Sequence, residues 1–209
     1  MTPRHALAPI AAIGFAVLAT ACSRGPAPAP TGAAHPAPST SSALPHSGAP
    51  KVEHPLPASA LSGDPCRTAL TETQVGRIIT TTPPGKPRIE ARLGPTCDWH
   101  NIDSGAAVRV GYVTEDHQGL SAVYQNSQPK AKVWRPLPPI QGLPAVAFSD
   151  FEGIGLNSTC QVSFGTSDDL SVDVTITLGE SKAGKVDPCG VAAQAAGIVA
   201  ANLWQRAGS

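Results

Sequence analysis

Cys160-Gln161-Val162-Ser163-Phe164 and Leu170-Ser171-Val172-Asp173-Val174-Thr175-Ile176-Thr177-Leu178 are the two stretches that decide the fold. In the first, Cys160, Val162 and Phe164 alternate with two polar residues. In the second, Leu170, Val172, Val174, Ile176 and Leu178 alternate with Ser171, Asp173, Thr175 and Thr177. Successive side chains of a strand point to opposite faces, so each run presents one apolar and one polar face. The polar segment from Thr166 to Asp169 reads as the turn between them. Strict alternation of this kind marks an antiparallel sheet with one face packed and one wet.

Working outward, the chain past this hairpin reaches Asp187-Pro188-Cys189. Asp caps helices well and Pro suits a first helical position. Val191, Ala195, Ile198 and Val199 then share a face, with Leu203 and Trp204 at the end, and the many alanines permit close approach to a sheet. Toward the N-terminus, Ala145–Phe148 and residues 131–135 read as strands on either side of a Pro-rich loop, Pro136–Pro144. Leu120, Val123 and Tyr124 give a helical patch. Residues 96–101 and Ala107–Val113 form a hairpin around Asp103-Ser104-Gly105. Cys97 and Trp99 lie on one face and Asp98 and His100 on the other, while Val108, Val110 and Tyr112 oppose Arg109. Further back, Thr71 and Gln74 form a capping box, flanked by Leu70 and Val75 as a staple. Pro83-Pro84-Gly85 ends that helix. Helices at both ends and a one-sided sheet between them define an α+β fold: an antiparallel sheet covered on one face by N- and C-terminal helices.

The chain of 209 residues carries 15 basic and 15 acidic residues. That balance leaves no electrostatic footprint for nucleic acid, which is not an expected partner. There are five cysteines. Setting Cys22 apart leaves Cys66, Cys97, Cys160 and Cys189, an even set that predicts two disulfides outside the cytoplasm. Their isolation from one another argues against a zinc framework, which uses close pairs. The sequential pairing, Cys66–Cys97 with Cys160–Cys189, ties each helix start to an inward strand position. The nested pairing, Cys97–Cys160 with Cys66–Cys189, stays open beside it.

Cys22 marks a boundary of another kind. Arg4 and His5 precede an apolar run, Ala6–Ala21, which ends Leu18-Ala19-Thr20-Ala21-Cys22. A charged start, a short apolar stretch and small residues before a cysteine make a lipoprotein signal. The run is short for a permanent span, which needs roughly 20 apolar residues. The expectation is a signal peptide over 1–21, then diacylglyceryl (palmitate-type) modification of Cys22. That would anchor the chain to the outer face of the cytoplasmic membrane, since two acyl chains hold where one does not. A secreted chain with Cys22 incidental is the plainer alternative. From residue 22 to 60 the chain is Pro, Ala, Ser, Thr and His, a composition that predicts a disordered tether extending about 3.1 Å per residue. A single α+β domain is expected over 61–209.

The two Asp-Pro-Cys openings at Asp64 and Asp187 repeat one device. With Cys97-Asp98-Trp99, Gly142-Leu143-Pro144-Ala145-Val146 and Cys160-Gln161-Val162, the pattern resembles an uncharacterised actinobacterial (mycobacterial-type) family of lipoproteins. That family is a domain of unknown function with a lipobox, a Pro-rich tether and a cysteine-containing α+β body. The resemblance implies export and membrane anchoring; it supplies no reaction and no catalytic residue.

No nucleophile elbow, phosphate loop or zinc-protease motif occurs. Asp98, His100 and Arg109 share the exposed face of the first hairpin and, with Tyr124, are the candidate binding surface. Glu115-Asp116-His117 lacks a second spaced histidine for a metal, and no metal or other cofactor is expected. The leading expectation is a non-catalytic cell-envelope module that binds a protein or small apolar ligand. The alternatives are an extracytoplasmic hydrolase using Asp98 or His100, and a passive spacer.

Overall fold

A computed structural model describes residues 43–153 and 155–208. The expected signal peptide, Cys22 and the tether up to residue 42 lie outside the described residues. The elements are α1 (Pro65–Thr68), α2 (Glu72–Ile79), β1 (Lys86–Glu90), β2 (Gly94–His100), β3 (Ala107–Val113), α3 (Leu120–Asn126), β4 (Val133–Ile140), β5 (Leu143–Ser149), β6 (Thr159–Gly165), β7 (Ser171–Thr177) and α4 (Pro188–Ala207). The strands form one antiparallel sheet in the order β1-β2-β3-β7-β6-β5-β4. The two deciding stretches are β6 and β7 at its centre, with Val162 opposite Val174 and Phe164 opposite Val172.

The apolar face of the sheet is the core. Val108, Val110, Tyr112, Val162, Phe164, Val172, Val174 and Ile176 are buried there beneath α4, α2 and α1. The stripe of α4 that meets β6 and β7 is Ala192, Ala195, Ala196, Val199, Ala200 and Leu203. It is rotated from the expected stripe. The alanines let the helix approach closely, and the bulkier Val191 and Ile198 fall to its flanks. The Tyr112 hydroxyl, deep under α1, is bonded to Thr68 Oγ1 at 2.9 Å.

Local sequence signals act as expected at the helix starts. Asp64 and Asp187 each accept from the backbone N–H of the cysteine two residues on. Thr71 and Gln74 close the capping box in both directions. The disulfides are sequential, Cys66–Cys97 and Cys160–Cys189, so each pins a helix start to a strand. Helix α2 stops earlier than Pro83, at Thr80, which takes up left-handed φ/ψ.

Three expectations are corrected. The Pro136–Pro144 loop is instead most of a hairpin, β4 and β5, joined at Gln141-Gly142 with positive φ at both residues. Proline is tolerated in β4 because that strand is at the edge and pairs only with β5. Strand β1 was not expected. Its sequence, Lys-Pro-Arg-Ile-Glu, has no buried face and needs only β2 as partner. Finally, residues 43–60 are not all tether. Val52, Leu56 and Ala60 are buried in the core, and the Leu56 N–H reaches the Thr166 carbonyl at 2.8 Å. The body therefore starts well before Leu61. Three apolar side chains in a Pro-rich stretch are too few for composition to flag. None of the described helices is long and apolar enough to cross a membrane.

Candidate functional site

The second face of the sheet is built from the polar half of the alternation. Across its centre the register aligns Thr96, Gly111, Asp173, Ser163 and Val146, one from each of five strands. The next row carries Asp98, Arg109, Thr175, Gln161 and Phe148. This face was expected to be wet throughout. Instead α3 lies over part of it, because Leu120, Val123 and Tyr124 need an apolar partner and find one in Val146, Phe148 and Trp134. Tyr124 meets Trp134 edge-on, ring centroids 5.0 Å apart.

Two glycines make that docking possible. Gly119, just ahead of α3, has φ +50° and its Cα faces the Asp168 carbonyl so closely that a Cβ would stand 2.5 Å from the oxygen. Gly165 leaves the sheet flat where Val52 and Leu120 rest; a Cβ there would come within 3.0 Å of Val52.

Helix α3 does not seal against the sheet. A groove of about 320 Å³ remains, with Leu93, Val113, Val123 and Phe148 as apolar walls. Its floor is Gln161, Ser171 and Asp173; Asp116 and Asp150 stand at its rim. Along the floor a polar chain runs from Thr175 through Gln161 and Ser163 to Asp173. The Thr175 hydroxyl donates to Gln161 Oε1 (3.3 Å), Gln161 Nε2 donates to Ser163 Oγ (3.1 Å), and the Ser163 hydroxyl donates to the Asp173 carboxylate. Burial pushes the Asp173 carboxyl up to about 6 from its ordinary 3.8, against the hydrogen bond from Ser163, and the nearby Asp116 carboxylate adds to the rise. Beside it, Ser171 is wholly buried and its hydroxyl has no hydrogen-bond partner among the described residues. Buried polar groups are nearly always paired, so an unpaired hydroxyl on the floor of a groove requires a reason. A second cavity, about 180 Å³, lies between the ends of α2 and β7 and the start of α4. Its walls are mixed, with Ile78, Ile79, Ile176 and Leu178 beside Thr80, Ser104 and Lys182.

The candidates read from the sequence lie elsewhere. Asp98 and Arg109 do meet: Arg109 Nε donates to Asp98 Oδ1, Arg88 Nε lies 3.3 Å from the other oxygen, and Arg109 also reaches Glu90 at 3.5 Å. That ladder straps β1, β2 and β3 together. The hydrogen bond to Asp98 holds the Arg109 guanidinium more firmly protonated. His100 stands exposed at the end of β2, opposite Ala107, and no described bond joins it to Asp98 or Arg109. Tyr124 packs in the aromatic cluster, where burial raises its hydroxyl pKa. None of the four lines the groove. Of Glu115-Asp116-His117, Asp116 reaches the groove rim while His117 turns toward Asp169 at 3.8 Å. Among the described residues no three His, Cys, Asp or Glu side chains gather to hold a metal. The groove residues Gln161, Ser171 and Asp173 were missed as a site. Their signal was a carboxylate midway along a central strand, in a sheet whose polar face still owed a partner to the Leu120–Tyr124 patch.

The fold defines a class: a single α+β body with a seven-stranded antiparallel sheet, helices on both faces, and two cystines bracing helix starts to strands. The chain belongs to a family of proteins of unknown function, DUF3558, whose model matches residues 17–202. No curated protein and no solved structure matches it.

Proposed function

We propose that this protein is an exported lipoprotein, held by a lipid on Cys22 at the outer face of the cytoplasmic membrane, whose cystine-braced body is a non-catalytic binding module of the cell envelope. The observation that carries the binding reading is the groove beneath α3, where an unpaired, fully buried Ser171 hydroxyl and the Asp173 carboxyl share a floor beneath apolar walls. Ligand sites combine apolar lining with a few convergent polar groups in this way. The address rests on the sequence around Cys22. The family match begins at residue 17 and so takes in that cysteine. Two disulfides accord with an oxidising compartment. The hydrolase reading loses ground because Asp98, its candidate acid or base, is committed to two arginines.

Two measurements test the proposal. Intact-mass analysis of protein extracted from membranes should find Cys22 as the first residue, carrying diacylglyceryl, with Cys22→Ser released from the membrane. An unmodified Cys22 overturns the anchor. A fragment screen read by backbone amide shifts should perturb Gln161, Ser171 and Asp173 together. Fragments that gather elsewhere and leave these residues untouched overturn the groove.

A further inference from the structure

Resting on that reading of the groove, we infer that its ligand carries an ammonium group on a short apolar body, a small organic amine whose nitrogen sits on the Asp173–Ser171 floor. Four observations converge on this class.

The charge inside the groove has one sign. The titratable groups that line it are Asp116 from the β3–α3 loop, Asp150 from beyond β5 and Asp173 of β7. Helix α3 contributes Asn126, the residue after it Ser127, and β6 Gln161, all uncharged. Among the described residues, no Lys, Arg or His lines the groove. Of the cations on the same face of the sheet, Arg109 is taken by Asp98 and Glu90, Arg88 pairs with Asp98, and Lys86 stands on β1, three strands away from Asp173.

Asp173 is the one carboxylate of the three on the groove floor, and no described cation pairs with it. Its partners are a Ser hydroxyl and the neighbouring Gln161 amide. Recessed carboxylates ordinarily find a cationic partner inside the fold. Here the partner has to come from outside, and anions are repelled.

The unpaired Ser171 hydroxyl lies two residues along the same strand face, wholly buried. A hydroxyl accepts as well as donates, and an ammonium offers three donors. One nitrogen can therefore satisfy the Asp173 oxygen and Ser171 Oγ together. A neutral alcohol can donate to Asp173 and accept from the Ser171 hydroxyl, but it brings no positive charge to offset the carboxylate.

The space is small and its walls are apolar. About 320 Å³ is at the low end for ligand pockets. Gly111, opposite Asp173 on β3, supplies no side chain, and the Thr96 methyl group packs over it. Leu93, Val113, Val123 and Phe148 offer contact to a short hydrocarbon chain. The three carboxylates do not converge as a metal site does.

The test titrates the folded, disulfide-bonded protein with n-hexylammonium, n-hexanol and hexanoate at pH 7.5, read by backbone amide shifts. Hexylammonium should give saturable shifts at Gln161, Ser171 and Asp173, with hexanol at least tenfold weaker and hexanoate silent. Asp173→Asn, nearly isosteric, should lower the affinity for the amine at least tenfold while its spectrum stays that of the folded protein. Affinity should also fall about tenfold from pH 7 to pH 5, as the floor carboxylate takes up a proton. Equal binding of hexanol, or full affinity in Asp173→Asn, overturns the ammonium assignment while leaving a binding groove in place. Silence toward all three probes overturns the assignment and counts against the groove itself.

Discussion

Replacing Asp173 by Asn exchanges an ionisable oxygen for an amide at nearly constant shape, so its effect on stability reports the charge. Raising a carboxyl from 3.8 to about 6 means that ionising it inside the fold costs about 3 kcal/mol more than in the unfolded chain, at 1.36 kcal/mol per pH unit. Between roughly pH 4 and pH 6 the folded protein holds a proton that the unfolded chain has released. Stability from this group is therefore fully present below pH 4 and lost as pH rises through 6. Asp173→Asn has no proton to lose. At pH 7.5 it should be more stable than the native protein by up to about 3 kcal/mol, less whatever its amide leaves unpaired. At pH 3.5 that advantage should vanish. Urea unfolding of both proteins from pH 3.5 to 7.5 measures the difference at each pH. Other carboxylates, such as Asp187, which the hydrogen bond from Arg135 holds below its usual range, slope the opposite way but cancel in the comparison. A difference that stays flat across this range refutes the argument, as does an Asp173 carboxyl that titrates near 4 by NMR.

Other perturbations probe separate parts of the structure. Removing the Cys160–Cys189 bridge by paired Ala substitution opens a loop of 29 residues and should cost about 3–4 kcal/mol in denaturant unfolding. Gly119→Ala drives a Cβ to within 2.5 Å of the Asp168 carbonyl at positive φ; a loss of about 2 kcal/mol or more is expected, with amide shifts concentrated in α3 and the groove. Thr71→Ala breaks the capping box of α2 and should cost about 1 kcal/mol by the same unfolding assay. Val52→Ala tests whether the body begins before residue 61. A loss of about 1–2 kcal/mol marks Val52 as core, whereas no loss returns that segment to the tether.

The parts of this fold that were legible share one property: their signal is local. Alternation in β6 and β7, Asp-Pro at two helix starts and the Thr71–Gln74 box each need only a few adjacent residues, and each formed as read. The elements misread depend on distant partners. Strand β1 exists because β2 offers it a backbone ladder, and β4 accepts three prolines because no strand lies beyond it. Val52 and Leu56 join the core because the Thr166–Asp168 turn binds their backbone N–H groups. The site was illegible for the same reason. Asp173 is an ordinary polar residue of a one-sided strand until α3, half the sheet away in sequence, is laid across it. Asp98 and Arg109 were rightly seen to be neighbours, but pairing between them uses up the charges that made them look functional.

The two cystines and the strand order together determine how this body yields to pulling. One bridge closes a loop within the β1–β3 half, from α1 to β2, and the other within the β4–β7 half, from β6 to α4. In the sheet, the two halves join only along the β3–β7 ladder, and neither bridge crosses it. Once tension between the chain ends has peeled residues 43–61 and α4, that ladder carries the load between the two bridges, with spans of 31 and 29 residues withheld from extension by covalent closure. Because Val113 of β3 and Asp173 of β7 stand on opposite sides of this seam, a chain under load would lose its groove before it lost either half.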